Sequence, residues 1–346
     1  MTAPLNPEDF PLTEARTITR ELMVPNAAIY WFDFGISITL GWVAFYYSVV
    51  SEMLSPIWWV SYVFATLALY RGVLFIHELA HFKKGTFGAF RLCWNVFCGC
   101  LLLAPSFSYN GVHNDHHKRD LYGTTEDGEY LPFGAQKPFH IISYLLLIFI
   151  LPVLGAARFL IMAPLGWIIP PIGRLVWERM SSLTIDINYK RPLEQRSKLG
   201  TWRAQEMLAS FNILAAAFLI YKGILPIEVA IMWYSVLVFI FLLNSLRTLG
   251  AHAYRNSGDK KMSVSEQYLD SVNVPGNFIT ALWAPVGLRF HATHHLFPIM
   301  PYHNLSEAHR RLIAELPDNA LYLSTTRKSM WHALKTLWND AKSSQV

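Results

Sequence analysis

The side chains of this sequence that are best suited to metal chemistry are histidines that recur at helical spacing. Residues at positions i, i+3 and i+4 of an α-helix lie on one face, so histidines at this spacing direct their imidazoles to one place. Neutral imidazole is the commonest metal ligand in proteins, and the repeated spacing therefore predicts metal binding. Three groups show it, and they are His77 and His81, then His113, His116 and His117, then His291, His294 and His295.

A further histidine, His252, stands at the end of the last long apolar run. With it, nine histidines are available, which is more than one four- or five-coordinate ion can use. Two ions are therefore the economical number. Imidazole without thiolate suits iron, zinc or copper, and the residues alone do not choose among these metals.

Composition places these histidines in a membrane protein. Of the 346 residues, 53% are hydrophobic and only 15% are charged, whereas soluble domains carry about 25% charged residues. The apolar residues come in long runs, which argues against a soluble enzyme with a large core. The net charge of +5 does not indicate nucleic-acid binding, because Lys and Arg also collect on the cytoplasmic side of a bilayer.

Four apolar runs approach the length of about 20 residues that a bilayer requires, and they are residues 27–50, 57–76, 208–221 and 227–246. The flanking Lys and Arg put the histidine groups, and all of residues 247–346, on the cytoplasmic side. By the same rule, the broken run 139–171 crosses an even number of times or lies in the interface. Residues 92–105 would form only about 21 Å of helix and are expected to be re-entrant or interfacial.

The expected fold is an all-α integral membrane protein, a bundle of about four to six transmembrane helices with a cytoplasmic, histidine-rich di-metal cap. Residues 1–26 are expected to form a cytoplasmic N-terminal segment, residues 27–316 the membrane-embedded domain and residues 317–346 a cytoplasmic tail. Such a multi-pass protein would lie in the inner membrane of a bacterium or in the endoplasmic reticulum of a eukaryote, with its active site in the cytoplasm.

Three motifs in this order resemble the histidine boxes of the membrane fatty acid desaturase superfamily, which also includes related hydroxylases, alkane monooxygenases and carotenoid ketolases. The motifs are H-E-L-A-H at 77–81, H-N-D-H-H at 113–117 and H-A-T-H-H at 291–295. The stretches Y-G-T at 122–124 and P-Y-H-N-L at 301–305 favour the fatty acid branch. Residues 27–316 would then be a desaturase-like domain.

The resemblance covers about residues 31–316 and implies a non-haem di-iron centre held by histidines. Its implied ligands are His77, His81, His113, His116, His117, His252, His291, His294 and His295. Of these, His252 matches an additional histidine at the end of the last span. Acyl-CoA desaturases carry an asparagine four residues before that histidine, but this chain has Thr248 there, and its nearest asparagine is Asn244.

The activity that the resemblance favours is O₂-dependent desaturation of a fatty-acyl lipid chain. An unactivated methylene has no acidic proton and no leaving group, so the cofactor must carry the chemistry while the protein orients the substrate. The sequence shows no dinucleotide-binding loop, iron–sulfur pattern or cytochrome b5 signature. Electrons are therefore expected from a separate donor of ferredoxin or cytochrome b5 type, together with its reductase.

Other activities stay open at this point. Hydroxylation of the lipid is the nearest alternative, because both reactions begin with hydrogen abstraction and diverge at the next step. The motif at residues 77–81 is also the H-E-x-x-H pattern of zinc proteases, in which Glu is the general base, although that class leaves most of the other histidines unexplained. A metal transporter would place ionisable residues near the middle of the spans instead.

Other charged residues have expected roles as partners. Metal-binding histidines usually donate their second N–H to a carboxylate or a carbonyl, and the candidate carboxylates are Glu78, Asp115 and Asp270. Three further ionisable residues fall in or near apolar runs, and they are Asp33, Arg71 and Arg158. For the two arginines, pairing with an acid or snorkelling to the interface is expected.

Overall fold

The protein is all-helical, as the sequence predicts. A computed structural model describes residues 6–83, 85–258 and 260–344. Within these ranges the only β-type pairings are isolated bridges, and no strand forms. The α-helices are Leu12–Thr19, Ala27–Val50, Pro56–His81, Gly88–Trp94, Val112–His116, Pro138–Leu146, Leu151–Ala157, Ala163–Ile168, Pro170–Met180, Glu194–Lys198, Trp202–Tyr221, Glu228–Leu249, Val264–Asp270, Phe278–Trp283, His291–Leu296, Leu305–Glu315, Ala320–Ser324 and Met330–Ser343.

Short turns of other helix types join these elements. The 3-10 turns are Pro7–Asp9, Arg20–Met23, Ser106–Ser108, Phe133–Ala135, Leu147–Phe149 and Tyr302–Asn304, and π-helical turns occupy Asn95–Gly99 and Arg158–Met162. The second π-helical turn joins Leu151–Ala157 to Ala163–Ile168, so the three pieces continue as one helical segment.

Among the described residues, five helical segments are long and apolar enough to cross a bilayer, which agrees with the expected four to six. They are Ala27–Val50, Pro56–His81, Leu151–Ile168, Trp202–Tyr221 and Glu228–Leu249. The first matches its predicted bounds, whereas the fourth begins six residues earlier than the apolar run from 208, because Trp202–Met207 continue the helix. In the run 139–171, the structure has one segment of spanning length, preceded by the shorter apolar helix Pro138–Phe149.

The expectation that residues 92–105 are too short to span agrees with their local structure. Helix Gly88–Trp94 passes into the π-helical turn Asn95–Gly99 and then ends. The Asn95 side chain caps the next turn, since its Oδ1 accepts from the Ser106 backbone N–H at 2.8 Å and its Nδ2 donates to Ser106 Oγ at 2.9 Å. This connection turns the chain back toward the second histidine group.

The chain forms two compact units, each with its own contacts. The first unit comprises the described residues of 1–29, 115–143 and 243–346. Its core joins the N-terminal segment to the helices that follow the third histidine group, with Phe10 and Leu22 packed among Phe297, Leu305 and Leu312. The side chain of Arg311 also binds Glu21 at 2.6 Å.

The second unit comprises residues 30–114 and 144–242 and contains most of the apolar helical surface. Two ion pairs lie within its spans, where pairing offsets the cost of a charge in hydrocarbon. Arg71 binds Asp33 through two nitrogens. Arg158 donates to Glu206 Oε1 at 2.8 Å and to the Met180 carbonyl at 2.8 Å, and both charged side chains are buried.

Removing one partner of the Arg158–Glu206 pair is expected to destabilise the protein strongly. The variant Arg158→Met leaves the buried Glu206 carboxylate with only the partly exposed Arg203 as a cation, at 3.3 Å. Removing one partner of a buried ion pair typically costs about 3–5 kcal/mol. The double variant Arg158→Met/Glu206→Gln should recover more than half of that loss. Thermal unfolding of the purified protein in detergent measures both effects.

Arg174→Met provides the matched control, because Arg174 pairs with Glu178 on an exposed helix face at 2.9 Å. Exposed pairs of this spacing contribute only about 0.3–0.5 kcal/mol. Equal losses of stability in Arg158→Met and Arg174→Met would contradict the assignment of a buried, essential pair.

Candidate metal centre

The second unit brings three of the predicted histidines together. His77 and His81 lie in the last turn of helix Pro56–His81, and His113 lies in the short helix Val112–His116. Their ligand nitrogens lie within 4.8 Å of one another, and His81 Nε2 is 2.9 Å from His113 Nε2. We call these three residues the His81 group.

The surroundings of the His81 group hold its imidazoles in place. The Tyr109 hydroxyl lies 2.9 Å from His113 Nδ1, and the two rings stack at 4.7 Å. Glu78, a candidate partner from the sequence, lies 3.6 Å from His77 Nδ1 and accepts a hydrogen bond from the Tyr30 hydroxyl. The end of the helix is held by the Asn114 side chain, which donates to the Ala80 carbonyl at 3.0 Å.

The first unit brings together four others. His116, His252, His291 and His295 are all buried, and their ligand nitrogens lie within 4.8 Å of one another. His291 Nε2 is 2.9 Å from His252 Nε2 and 3.2 Å from His295 Nε2. We call these four residues the His252 group.

Within each of the two groups, the spacing of the imidazole nitrogens fits one metal ion bound by that group. Two nitrogens that each lie about 2.1 Å from one ion, at a right angle, are about 3.0 Å apart. The Nε2 pairs of the His81 group and of the His252 group have this separation. A neutral imidazole offers one donor and one acceptor, so several Nε2 atoms facing one point are better satisfied by a cation than by each other. Both donor sets therefore suit a first-row metal.

His116 is held by a carboxylate that the sequence analysis missed. Its Nδ1 lies 2.8 Å from Asp127 Oδ2, and both side chains are buried. Because a carboxylate only accepts, Nδ1 carries the proton and Nε2 keeps its lone pair for a metal. Burial opposes the charged form of His116, but the charge and hydrogen bond of Asp127 outweigh it and raise the pKa. Asp127 also accepts from the backbone N–H of Gly123 and of Glu129 at 2.9 Å.

His252 is held by a relay that ends on Asp270. The Tyr122 hydroxyl donates to Asp270 Oδ2 at 3.0 Å, so its oxygen is left to accept from His252 Nδ1 at 2.9 Å. This again directs the lone pair of Nε2 toward the group. Burial raises the pKa of Asp270 to about 6, against the effect of hydrogen bonds from Tyr130 and the Arg255 backbone. Burial likewise lowers the pKa of His252 and favours the neutral form that binds metals.

The two remaining predicted ligands, His117 and His294, form a pair in the first unit. Their Nε2 atoms lie 3.1 Å apart, and the ring of His117 stacks on that of His295 at 4.4 Å. The His117 side chain is partly exposed, whereas His294 is buried.

Several other predicted partners have different roles. Asp115 binds Lys118 at 2.5 Å, as a helix-end charge would. Asn244, the asparagine nearest to His252, accepts from Arg247 at 3.1 Å. Among the partners that were not predicted from the sequence, Tyr109 lies one helical turn before His113, whereas Tyr122 and Asp127 have no regular spacing from the histidines that they contact. Only the acidic, Gly-rich composition around Asp127 hinted at a turn that could hold such a residue.

Comparisons with known proteins identify the family of this chain. The family described as fatty acid desaturase matches residues 53–327 of the chain. The chain is also similar to a ceramide hydroxylase of Caulobacter vibrioides (strain NA1000 / CB15N), with 38% identity over 343 residues, which cover 96% of this chain and 95% of the relative. The matched region includes all three histidine motifs and His252. This chain therefore belongs to the fatty acid desaturase family of membrane enzymes, which includes hydroxylases.

Proposed function

We propose that this enzyme hydroxylates a long-chain lipid of the ceramide class, using O₂ and two electrons from an external donor. The observation that carries this proposal is the similarity to a ceramide hydroxylase along nearly the whole of both chains. The overall reaction would be R–H + O₂ + 2e⁻ + 2H⁺ → R–OH + H₂O. One oxygen atom enters the lipid, and the other leaves as water.

This proposal reverses the order of preference drawn from the sequence. The histidine motifs favoured desaturation, with hydroxylation as the alternative, because the motifs do not distinguish the two outcomes. Full-length similarity to a hydroxylase supports the alternative better. Desaturation stays a second candidate because the matched family carries that description, and it would remove two hydrogens from the same chain.

The proposed cofactor is a pair of iron ions held by the nine histidines. We assign one ion to the His81 group and one to the His252 group, with His117 and His294 as additional ligands. When bound, reduced iron would supply the activation of O₂ that amino-acid side chains cannot perform. The fit rests on nitrogen spacings of 2.9–3.2 Å and on a donor set of imidazoles, which suits iron.

The chain's own residues would orient the ligands and keep water out. Asp127 holds the proton of His116 on Nδ1, and Tyr122 with Asp270 does the same for His252. Burial of all four members of the His252 group excludes bulk solvent from the reacting atoms. In a dry site, fixed dipoles and charges act more strongly than they would in water.

We further propose that the site faces the cytoplasm and that the donor is a soluble ferredoxin or a cytochrome b5 type protein with its reductase. The distribution of Lys and Arg supports this side, since residues 247–346 and the segment 174–203 carry many cations. Helices long and apolar enough to cross a bilayer would let a lipid substrate approach the enzyme from the membrane.

Lipid analysis after expression tests the proposed reaction. Cells with a compatible donor system and a supply of ceramide should accumulate a ceramide about 16 mass units heavier when they express the chain, because one oxygen atom is inserted. Labelling with ¹⁸O₂ should add about two further units to the product, since that atom comes from O₂. Mass spectrometry of extracted lipids measures both.

The variant His116→Ala is the inactive control, and His332→Ala is the matched neutral one, because His332 is exposed at the start of helix Met330–Ser343. A ceramide two units lighter would favour desaturation instead. Absence of any new lipid, together with bound zinc and Glu78-dependent peptide hydrolysis, would support the protease alternative.

Asp127→Asn is expected to weaken metal binding without unfolding the protein. The amide keeps the size of the carboxylate, and its single oxygen can still accept from the backbone of Gly123 or of Glu129, which bind different oxygens of Asp127. It no longer provides a charge for the proton of His116. Loss of such a partner typically lowers metal affinity or activity about 10–100-fold. Titration of the metal-free protein with Fe(II), followed by iron analysis, measures the affinity directly.

Glu126→Gln serves as the control, because Glu126 is exposed one residue away. If Asp127→Asn binds Fe(II) as tightly as the unmodified protein does, Asp127 does not support metal binding.

A further inference from the structure

Residues 275–289, which precede the third histidine motif, form a loop that is closed at its base. Its two ends meet, because Asn273 pairs with Phe290 in an antiparallel bridge and the Val274 backbone N–H donates to the Arg289 carbonyl at 2.7 Å. The loop contains one helix, Phe278–Trp283. From the sequence, all of it is expected in a cytoplasmic cap.

This helix is well formed, although it exposes large apolar side chains. The Asn277 side chain caps it by accepting from the backbone N–H of Ile279 at 3.0 Å and of Thr280 at 3.4 Å. Phe278 is 74% exposed and Ile279 is 67% exposed. A stable helix that shows such residues to solvent is unusual for a water-facing cap, and it indicates an apolar surrounding.

The inner face of the helix adjoins the end of a spanning helix. Trp283 packs against a small core that contains Val272, Val274 and Met330. The Met330 side chain in turn reaches Gly250, where a Cβ would lie only 2.7 Å from its terminal carbon. Gly250 directly follows the spanning helix Glu228–Leu249. The inner side of this helix therefore packs on a small core that contacts the residue following a span.

Trp331 follows Met330, a member of this core, in the chain and is 71% exposed. Tryptophan is enriched where a membrane protein meets the headgroup region, because its ring is apolar and its N–H is polar. Helices with one apolar face lie in this interface with that face buried about 5–10 Å deep. Continuity with the span and the exposed tryptophan favour lipid over a second protein as the partner of this surface.

We propose that helix Phe278–Trp283 and Trp331 form a membrane-interface anchor, with Phe278, Ile279 and Trp331 inserted among the lipid headgroups and upper acyl chains. The anchor is joined directly to the candidate metal centre. Asn273 lies at the base of the loop. Its Oδ1 also accepts from Thr293 in helix His291–Leu296, from the backbone N–H at 3.0 Å and from the hydroxyl at 3.3 Å. The anchor thereby fixes the height of this histidine helix relative to the bilayer surface.

A fluorescent label at the anchor tests this inference. Ile279→Cys, in a Cys93→Ser background, is labelled with an NBD fluorophore, since the other two native cysteines, Cys98 and Cys100, are buried. The labelled full chain is placed in nanodiscs of phosphatidylcholine and phosphatidylglycerol that hold one chain each. Lipid carrying a doxyl quencher at acyl carbon 5 should quench the label at least about twofold more than it quenches a label at Glu126→Cys.

Iodide in solution should quench the Ile279 label about threefold less than the Glu126 label, because an interfacial anchor is shielded from water. Equal quenching of both labels by iodide, with no preference for doxyl lipid, would overturn the proposal. Protection that appears only in discs holding two chains would also overturn it, since a second copy would then cover the surface. Phe278→Cys gives an independent label if Ile279→Cys does not fold. The test does not depend on which lipid reaction the enzyme performs.

Discussion

The structure depends on burying many imidazoles whose ring nitrogens point at one another. Such an arrangement is unfavourable without a metal, because each imidazole has one donor and one acceptor, and crowded Nε2 atoms cannot all be satisfied mutually. The His252 group meets this constraint with carboxylates on its outer side, Asp127 directly and Asp270 through Tyr122. These contacts fix which nitrogen is free. These contacts would hold the candidate ligands in the tautomers that a cation requires.

The fold places these ligands at the ends of membrane-length helices. His77 and His81 occupy the last turn of Pro56–His81, and His252 follows Glu228–Leu249 by three residues. Each span fixes the position of its terminal histidines, while the short helices Val112–His116 and His291–Leu296 supply the others. A lipid substrate would need apolar surroundings and a metal site would need polar ones, so candidate ligands at the ends of membrane-length helices would lie near both.

Much of this could be predicted from the sequence, because it depends on local periodicity. Apolar runs predicted the membrane-length helices, and i, i+3, i+4 spacing predicted that the histidines of each motif share one helix face. Contacts between residues distant in the chain could not be predicted. The partner of Arg158 is Glu206, 48 residues away, and the relay from His252 to Asp270 passes through Tyr122 on a separate loop. The histidine motifs also could not distinguish hydroxylation from desaturation, because both reactions would use the same ligands and differ only after hydrogen abstraction.

The number of irons bound per chain tests the central claim most directly. Purified protein loaded anaerobically with Fe(II) and desalted should hold two irons by elemental analysis, one in each histidine group. His81→Ala and His252→Ala should each retain about one iron, because each variant disrupts a single group and leaves the ligands of the other. A single iron in the unmodified chain, or loss of both irons in both variants alike, would contradict the assignment of two separate ligand sets.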